Sequence, residues 1–268
     1  MGKKNIYISN LCWNKKDNYK IIKFLKREGI RGIDFAPLNY FRSWHNILKN
    51  SKRLATIFDN HQIKINAIQG IFYKTKYNIF DVKDKKKITN HFKLIIKLCK
   101  IFRTKKIILG SSNFRNPENL NLKEANHIFV NYFKYLNKYL RKDKIILCIE
   151  TIPKNYKEEY IFELYQLANL ITKINSSNIK INFDTSIYHF QKFNKKSFVK
   201  NIKLIKNVQI SQPYFNYFDK PTRNNLNFID FVTKNKKLKD ILNKIIDKKI
   251  KKKKFLISIK NIKKFFNS

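Results

Sequence analysis

Short apolar runs rich in β-branched residues alternate along the chain with longer stretches whose apolar positions recur at helical spacing. The runs are 6–13 (IYISNLCW), 32–36 (GIDFA), 63–72 (IKINAIQGIF), 105–111 (KKIILGS), 144–150 (KIILCIE), 179–184 (IKINFD), 207–211 (NVQIS) and 255–259 (FLISI). The amphipathic stretches include 17–28, 85–103, 123–141, 157–174, 196–206 and 227–247. Asp17, Asn121, and Asn194 or Ser197 stand where helix N-caps are expected, and Gly29 where the first helix should stop. Eight strand–helix alternations predict one α/β domain over residues 1–268, a (β/α)8 TIM barrel. A doubly wound open sheet is the alternative. It usually carries a glycine-rich phosphate loop after the first strand, and the sequence has none.

Composition narrows the class. A length of 268 residues that are 43% hydrophobic can bury a substantial core. No apolar run approaches the roughly 18 residues of a membrane span, and nothing near the N-terminus reads as a signal peptide. Cys12, Cys99 and Cys148 are far apart in apolar contexts. They are expected to be buried free thiols in a cytoplasmic protein, since no disulfide or zinc pattern is visible. The formal charge of +41 comes from 51 lysines and only eight arginines. Nucleic-acid surfaces rely on arginine for bidentate contacts. Lys, Asn and Ile are all enriched, and their codons are rich in A and T. Mutational bias on solvated helix faces therefore accounts for the charge better than a polyanion surface does, and steering of a small anion stays open beside it. The densest run, 248–254, falls between a helix and the last strand, where a solvated turn is expected.

The chemistry gathers where strands end. Glu150 closes the run IILCIE, and Asp184 closes IKINFD. Ionised acids are costly to bury without a partner, so two of them at the carboxyl ends of successive buried strands point to an active site on an α/β scaffold. The other strand ends offer Trp13, Asp34, Gln69, Ser111, Arg115, Tyr156, Gln209, Gln212 and Lys260. This polar and aromatic set suits a polyhydroxylated ligand: Trp13, Phe72 and Tyr156 for stacking on a sugar's apolar face, amides and hydroxyls for its OH groups. Arg115 with Ser111 and Ser112 could bind a phosphate or carboxylate; a salt bridge to Glu118 is the plainer reading.

The ordered fragments resemble the sugar-phosphate isomerase/epimerase family with a xylose isomerase-like barrel. The carriers are Ile8-Ser9-Asn10-Leu11-Cys12-Trp13, Gly32-Ile33-Asp34-Phe35-Ala36-Pro37, Gly110-Ser111-Ser112-Asn113-Phe114-Arg115, Ile149-Glu150-Thr151-Ile152-Pro153, Phe183-Asp184-Thr185-Ser186, Gln209-Ile210-Ser211-Gln212-Pro213 and Ser258-Ile259-Lys260-Asn261. The resemblance implies a divalent metal (Mg, Mn or Zn) held by Glu, Asp, His and Glu from strands 5 to 8, with the two glutamates as base and acid. Glu150 and Asp184 match two of these ligands, whereas Gln209 stands at the histidine position and Lys260 at the second glutamate. Lys260 disfavours a metal and is expected to pair with both carboxylates. His189 could instead supply a ligand from the loop after strand 6, though its offset of five residues from Asp184 favours an ordinary loop histidine. The resemblance thus implies a sugar or sugar-phosphate isomerase or epimerase with an altered metal site, Glu150 and Lys260 serving catalysis. The alternative is a catalytically inactive carbohydrate-binding or scaffold relative. An endonuclease-like relative would need several clustered histidines, and of five only His189 lies near a carboxyl-terminal strand end. The expected partner is a small sugar or sugar phosphate, with neither membrane nor nucleic acid.

Overall fold

The computed structural model describes residues 7–27, 30, 32–211 and 222–234. Seven strands form one parallel sheet in sequential order: β1 Tyr7–Ser9, β2 Gly32–Phe35, β3 Lys64–Ile68, β4 Lys106–Leu109, β5 Ile146–Glu150, β6 Ile179–Asp184 and β7 Ile205–Gln209. The helices are α1 Asn18–Arg27, α2 Ile47–Asn60, α3 Lys85–Ile101, α4 Leu122–Lys142, α5 Leu164–Ile174, α6 Lys195–Asn201 and α7 Arg223–Lys234. The sheet curls on itself, since Gln209 of β7 hydrogen-bonds across the interior to Asp34 of β2. This is the wall of the expected TIM barrel. The eighth predicted strand (255–259), the 248–254 lysine run, Gly29 and the end of the last predicted helix lie outside the described residues.

Several boundaries differ from the sequence pattern for local reasons. The first strand stops at Ser9, whose hydroxyl accepts the Leu11 N–H and opens a 3-10 turn over Asn10–Cys12. That turn leaves Cys12 exposed, against the expected burial; Cys99 and Cys148 are buried. β3 ends at Ile68, and Gly70 turns the chain with φ +62°. The helix expected from 157 starts only at Leu164. The Glu158 carboxylate accepts the Tyr160 and Ile161 N–H groups and holds that segment as a loop, and Glu163 with Gln166 then forms a capping box. Asn121 caps α4 in a capping box with Glu124, and Asn194 caps α6. Asp17 instead closes a 3-10 turn, Lys15–Asp17.

Two cores of unequal size decide what the barrel can hold. The large one lies between sheet and helices and is dense in phenylalanine, as in the cluster of Phe183, Phe193, Phe198 and Phe228. The inner wall carries only a thin apolar layer, Ala67, Ile108 and Cys148 with Ile146 packed against them. Parallel strands buried on both faces usually read as continuous apolar runs. Here the inward positions above that layer are polar.

Candidate active site

Glu150 and Asp184 are the last residues of neighbouring strands β5 and β6. Gly110, just past β4, gives Glu150 its seat. A Cβ on Gly110 would lie 1.9 Å from the Glu150 Oε1 and 2.4 Å from its carboxyl carbon. Gly110→Ala therefore pushes the carboxylate out of place. If Glu150 transfers a proton, that variant should fold but lose about 10²-fold in rate, the penalty of a misplacement near 1 Å. Steady-state rates alongside a thermal melt check this. Burial pushes the Glu150 carboxyl up to about 7, and the neighbouring Asp184 charge adds to it, while the Asn182 hydrogen bond opposes. Burial also raises Asp184, against the donors of Ser211 and Ser186, and raises Asp34, against Asn66, Lys106 and Gln209.

A closed ring of side chains runs beneath these acids. The Lys106 ammonium donates to Asn66 Oδ1 (3.3 Å) and Asn207 Oδ1 (2.8 Å). Asn66 Nδ2 donates to Asp34 Oδ1 (2.6 Å). On the other side Asn207 Nδ2 donates to Asn182 Oδ1 (2.7 Å), Asn182 Nδ2 to Gln209 Oε1 (2.8 Å), and Gln209 Nε2 to Asp34 Oδ2 (3.2 Å). Asn182 Nδ2 also donates to Glu150 Oε2, and Gln209 Nε2 to Gln69 Oε1 (3.2 Å). Gln69 in turn donates to Ser9 Oγ (2.6 Å) and the Asp34 carbonyl (3.0 Å).

The structure thus brings together Glu150, Asp184, Asp34, Gln69 and Gln209. Asn66, Lys106, Asn182 and Asn207 belong with them and were not singled out from the sequence. Their signal was the polar period of two along β6 (Lys180, Asn182, Asp184). Two irregularities hid Asn66 and Asn207: register shifts insert Asn66 opposite β2 and Lys206 opposite β6, and bulges of this kind re-aim side chains.

The remaining residues fall elsewhere. Trp13 is buried in the outer core with its indole N–H on Asn18, and Phe72 stacks on Phe114, so both rings are engaged in packing. Tyr156 keeps part of its surface and meets Phe190 edge-on. Ser111 is half-buried beside Gly110. Arg115 is 1% exposed and pairs with Glu158 rather than Glu118, its Nη2 standing 2.9 Å from Oε2. His189 is exposed beside Phe190. Gln212 and Lys260 lie outside the described residues, and so does the expected pairing of Lys260 with the acids.

The implied divalent metal can be tested against the donors. Among the described residues no three His, Cys, Asp or Glu side chains gather as a metal site. Gln209, at the histidine position, spends its oxygen on Asn182 and its nitrogen on Asp34 and Gln69. Asp184 Oδ1 accepts from the Ser211 hydroxyl and the Ser186 N–H. A hard divalent ion needs several free, converging donors, and the described side chains do not fit one.

A curled parallel sheet defines a TIM-barrel protein, and the acids at its strand ends place the candidate site at the carboxyl-terminal mouth. The chain belongs to the xylose isomerase-like TIM barrel family, whose model matches residues 22–241. No curated protein matches it. Among solved structures it is similar to an AP endonuclease, family 2, from Brucella melitensis (13% identity, 86% of this chain and 88% of that one, TM-score 0.68). It is also similar to D-psicose 3-epimerase from Clostridium cellulolyticum H10 (12%, 98% and 97%, 0.64) and to 3-keto-D-glucoside 4-epimerase from E. coli (14%, 78% and 80%, 0.62). At these identities the structural likeness shows a shared fold alone. None of the described helices is long and apolar enough to cross a membrane.

Proposed function

We propose that the protein moves a proton at the carbon next to a carbonyl of a sugar or sugar phosphate, as an isomerase or epimerase, with Glu150 as the base. The observation that carries this reading is the seat of Glu150: a carboxylate at the end of β5, packed over Gly110 and held by the Asn182 amide beside Asp184. A base so held reaches a substrate carbon in one fixed geometry, and one that ionises near neutrality matches the task. Lys260, at the end of the eighth predicted strand, is proposed to stabilise the enediolate oxygen and return the proton. Membership of a family whose fold is shared with two sugar epimerases supports a carbohydrate substrate.

The test is solvent exchange. D-Fructose, D-tagatose, D-psicose and a set of sugar phosphates are incubated with the protein in D2O and followed by proton NMR. Loss of the signal from the carbon next to the carbonyl is expected for at least one. If folded protein exchanges none of them, the proposed activity is wrong. The engagement of Gln209 within the ring favours a second reading, a carbohydrate-binding relative without catalysis. A ligand-induced rise in Tm without exchange would select it.

A further inference from the structure

We propose that Lys106 is a positioning residue: through a relay of side-chain amides it decides which end of Asn182 faces the Glu150 carboxylate. A lysine ammonium only donates hydrogen bonds, and an ionised aspartate only accepts them. Lys106 stands at one pole and Asp34 at the other, joined by two arms. In each arm every bond runs donor to acceptor towards Asp34. The short arm is Lys106 to Asn66 to Asp34; the long arm is Lys106 to Asn207 to Asn182 to Gln209 to Asp34.

An amide can be turned end for end at little steric cost, so shape alone does not set its direction. The poles do. Because Lys106 claims the Asn207 oxygen, Asn207 must offer its nitrogen to Asn182. Because Asn182 receives that N–H on its oxygen, its own nitrogen is left to face Glu150 and Gln209. Asn182 is 0% exposed and Asn207 4%, so water cannot repair a misdirected amide. Lys106, at the start of β4 and two strands from Asn182, thereby places an N–H donor on the carboxylate over Gly110. That Glu150 is a base rests on the function proposed above; the relay does not, and its test reads stability alone.

The deciding variant is Asn207→Asp, measured by urea unfolding at pH 8.5 in the wild-type and Glu150→Gln backgrounds. If Lys106 merely needs an acceptor, the isosteric carboxylate serves it better than the amide, and the variant is at least as stable as wild type. The relay requires the opposite. A carboxylate at position 207 cannot donate to Asn182. Asn182 then turns its nitrogen to that carboxylate and its oxygen to Glu150, setting acceptor against acceptor. The folding constant should fall about tenfold or more. In the Glu150→Gln background the introduced amide can donate to the turned Asn182, so the same substitution should cost at least about threefold less. Equal cost in the two backgrounds, or no cost, overturns the proposal. Should Asn207→Asp fail to fold, Lys106→Gln gives the same comparison. Its amide donates or accepts, direction is lost, and the cost must again shrink in the Glu150→Gln background; equal costs overturn the relay here too. A protein that shows the coupling but exchanges no sugar keeps the relay and loses the proposed function.

Discussion

Glu150→Gln should lower sugar proton exchange by about 10²–10⁴-fold, the range for losing a positioned general base. Gln keeps the shape over Gly110 and still accepts from Asn182, so the loss isolates the chemistry. The wild-type rate should rise with pH through about 7 and level off above it, because burial first, and Asp184 second, hold the carboxyl at about 7 and only its ionised form is a base. Stability should move the other way. The folded carboxyl lies above its unfolded value of 4.5, so its contribution is fully present below 4.5 and is lost as pH rises through 7. The size is roughly 3 kcal/mol. Urea unfolding at pH 5 and pH 8 checks it, and the Gln variant should lack this component. A wild-type rate that is flat from pH 5 to 9 would exclude Glu150 as the base.

Removing one partner of the Arg115–Glu158 pair should have the largest effect on stability. Both side chains are buried, at 1% and 3% exposure, and the guanidinium meets the carboxylate at 3.0 Å through Nε and 2.9 Å through Nη2. The same carboxylate accepts the Tyr160 and Ile161 N–H groups, so it ties the loop after β4 to the loop after β5. Arg115→Ala or Glu158→Ala leaves an uncompensated buried charge and should cost about 3–5 kcal/mol. At roughly 2–4 °C per kcal/mol for a chain of this size, Tm falls by about 10 °C. Replacing both with leucine should recover only part of the loss: the unpaired charge is gone, but the Tyr160 and Ile161 N–H groups lose their acceptor. Calorimetry of the single and double variants distinguishes this from a surface pair, which would be worth about 1 kcal/mol or less. Arg115 is therefore a clamp beside the mouth, and its Nη1 has no hydrogen-bond partner among the described residues.

Much of the mouth was legible because strand ends are a property of sequence. Glu150 and Asp184 close their runs, Asp34, Gln69 and Gln209 lie within theirs, and each stands in or beside the ring. Trp13 and Phe72 had the same kind of signal and went into packing instead. An aromatic ring after a strand suits a core or a ligand equally, and only its neighbours decide between them.

By itself the sequence determined the α/β class, the order of seven described strands and the acids that close β5 and β6. Local periodicity and the cost of burying charge are enough for that. Tertiary structure alone decided that Asn66 and Asn207 look inward. Alternation along a strand fixes facing only while the register is regular, and the shifts at Asn66 and Lys206 break it. It also decided that Lys106, remote in sequence from Asn207, would meet it across the barrel at 2.8 Å. That contact exists because the sheet curls, and curling is a property of the whole wall rather than of any one strand.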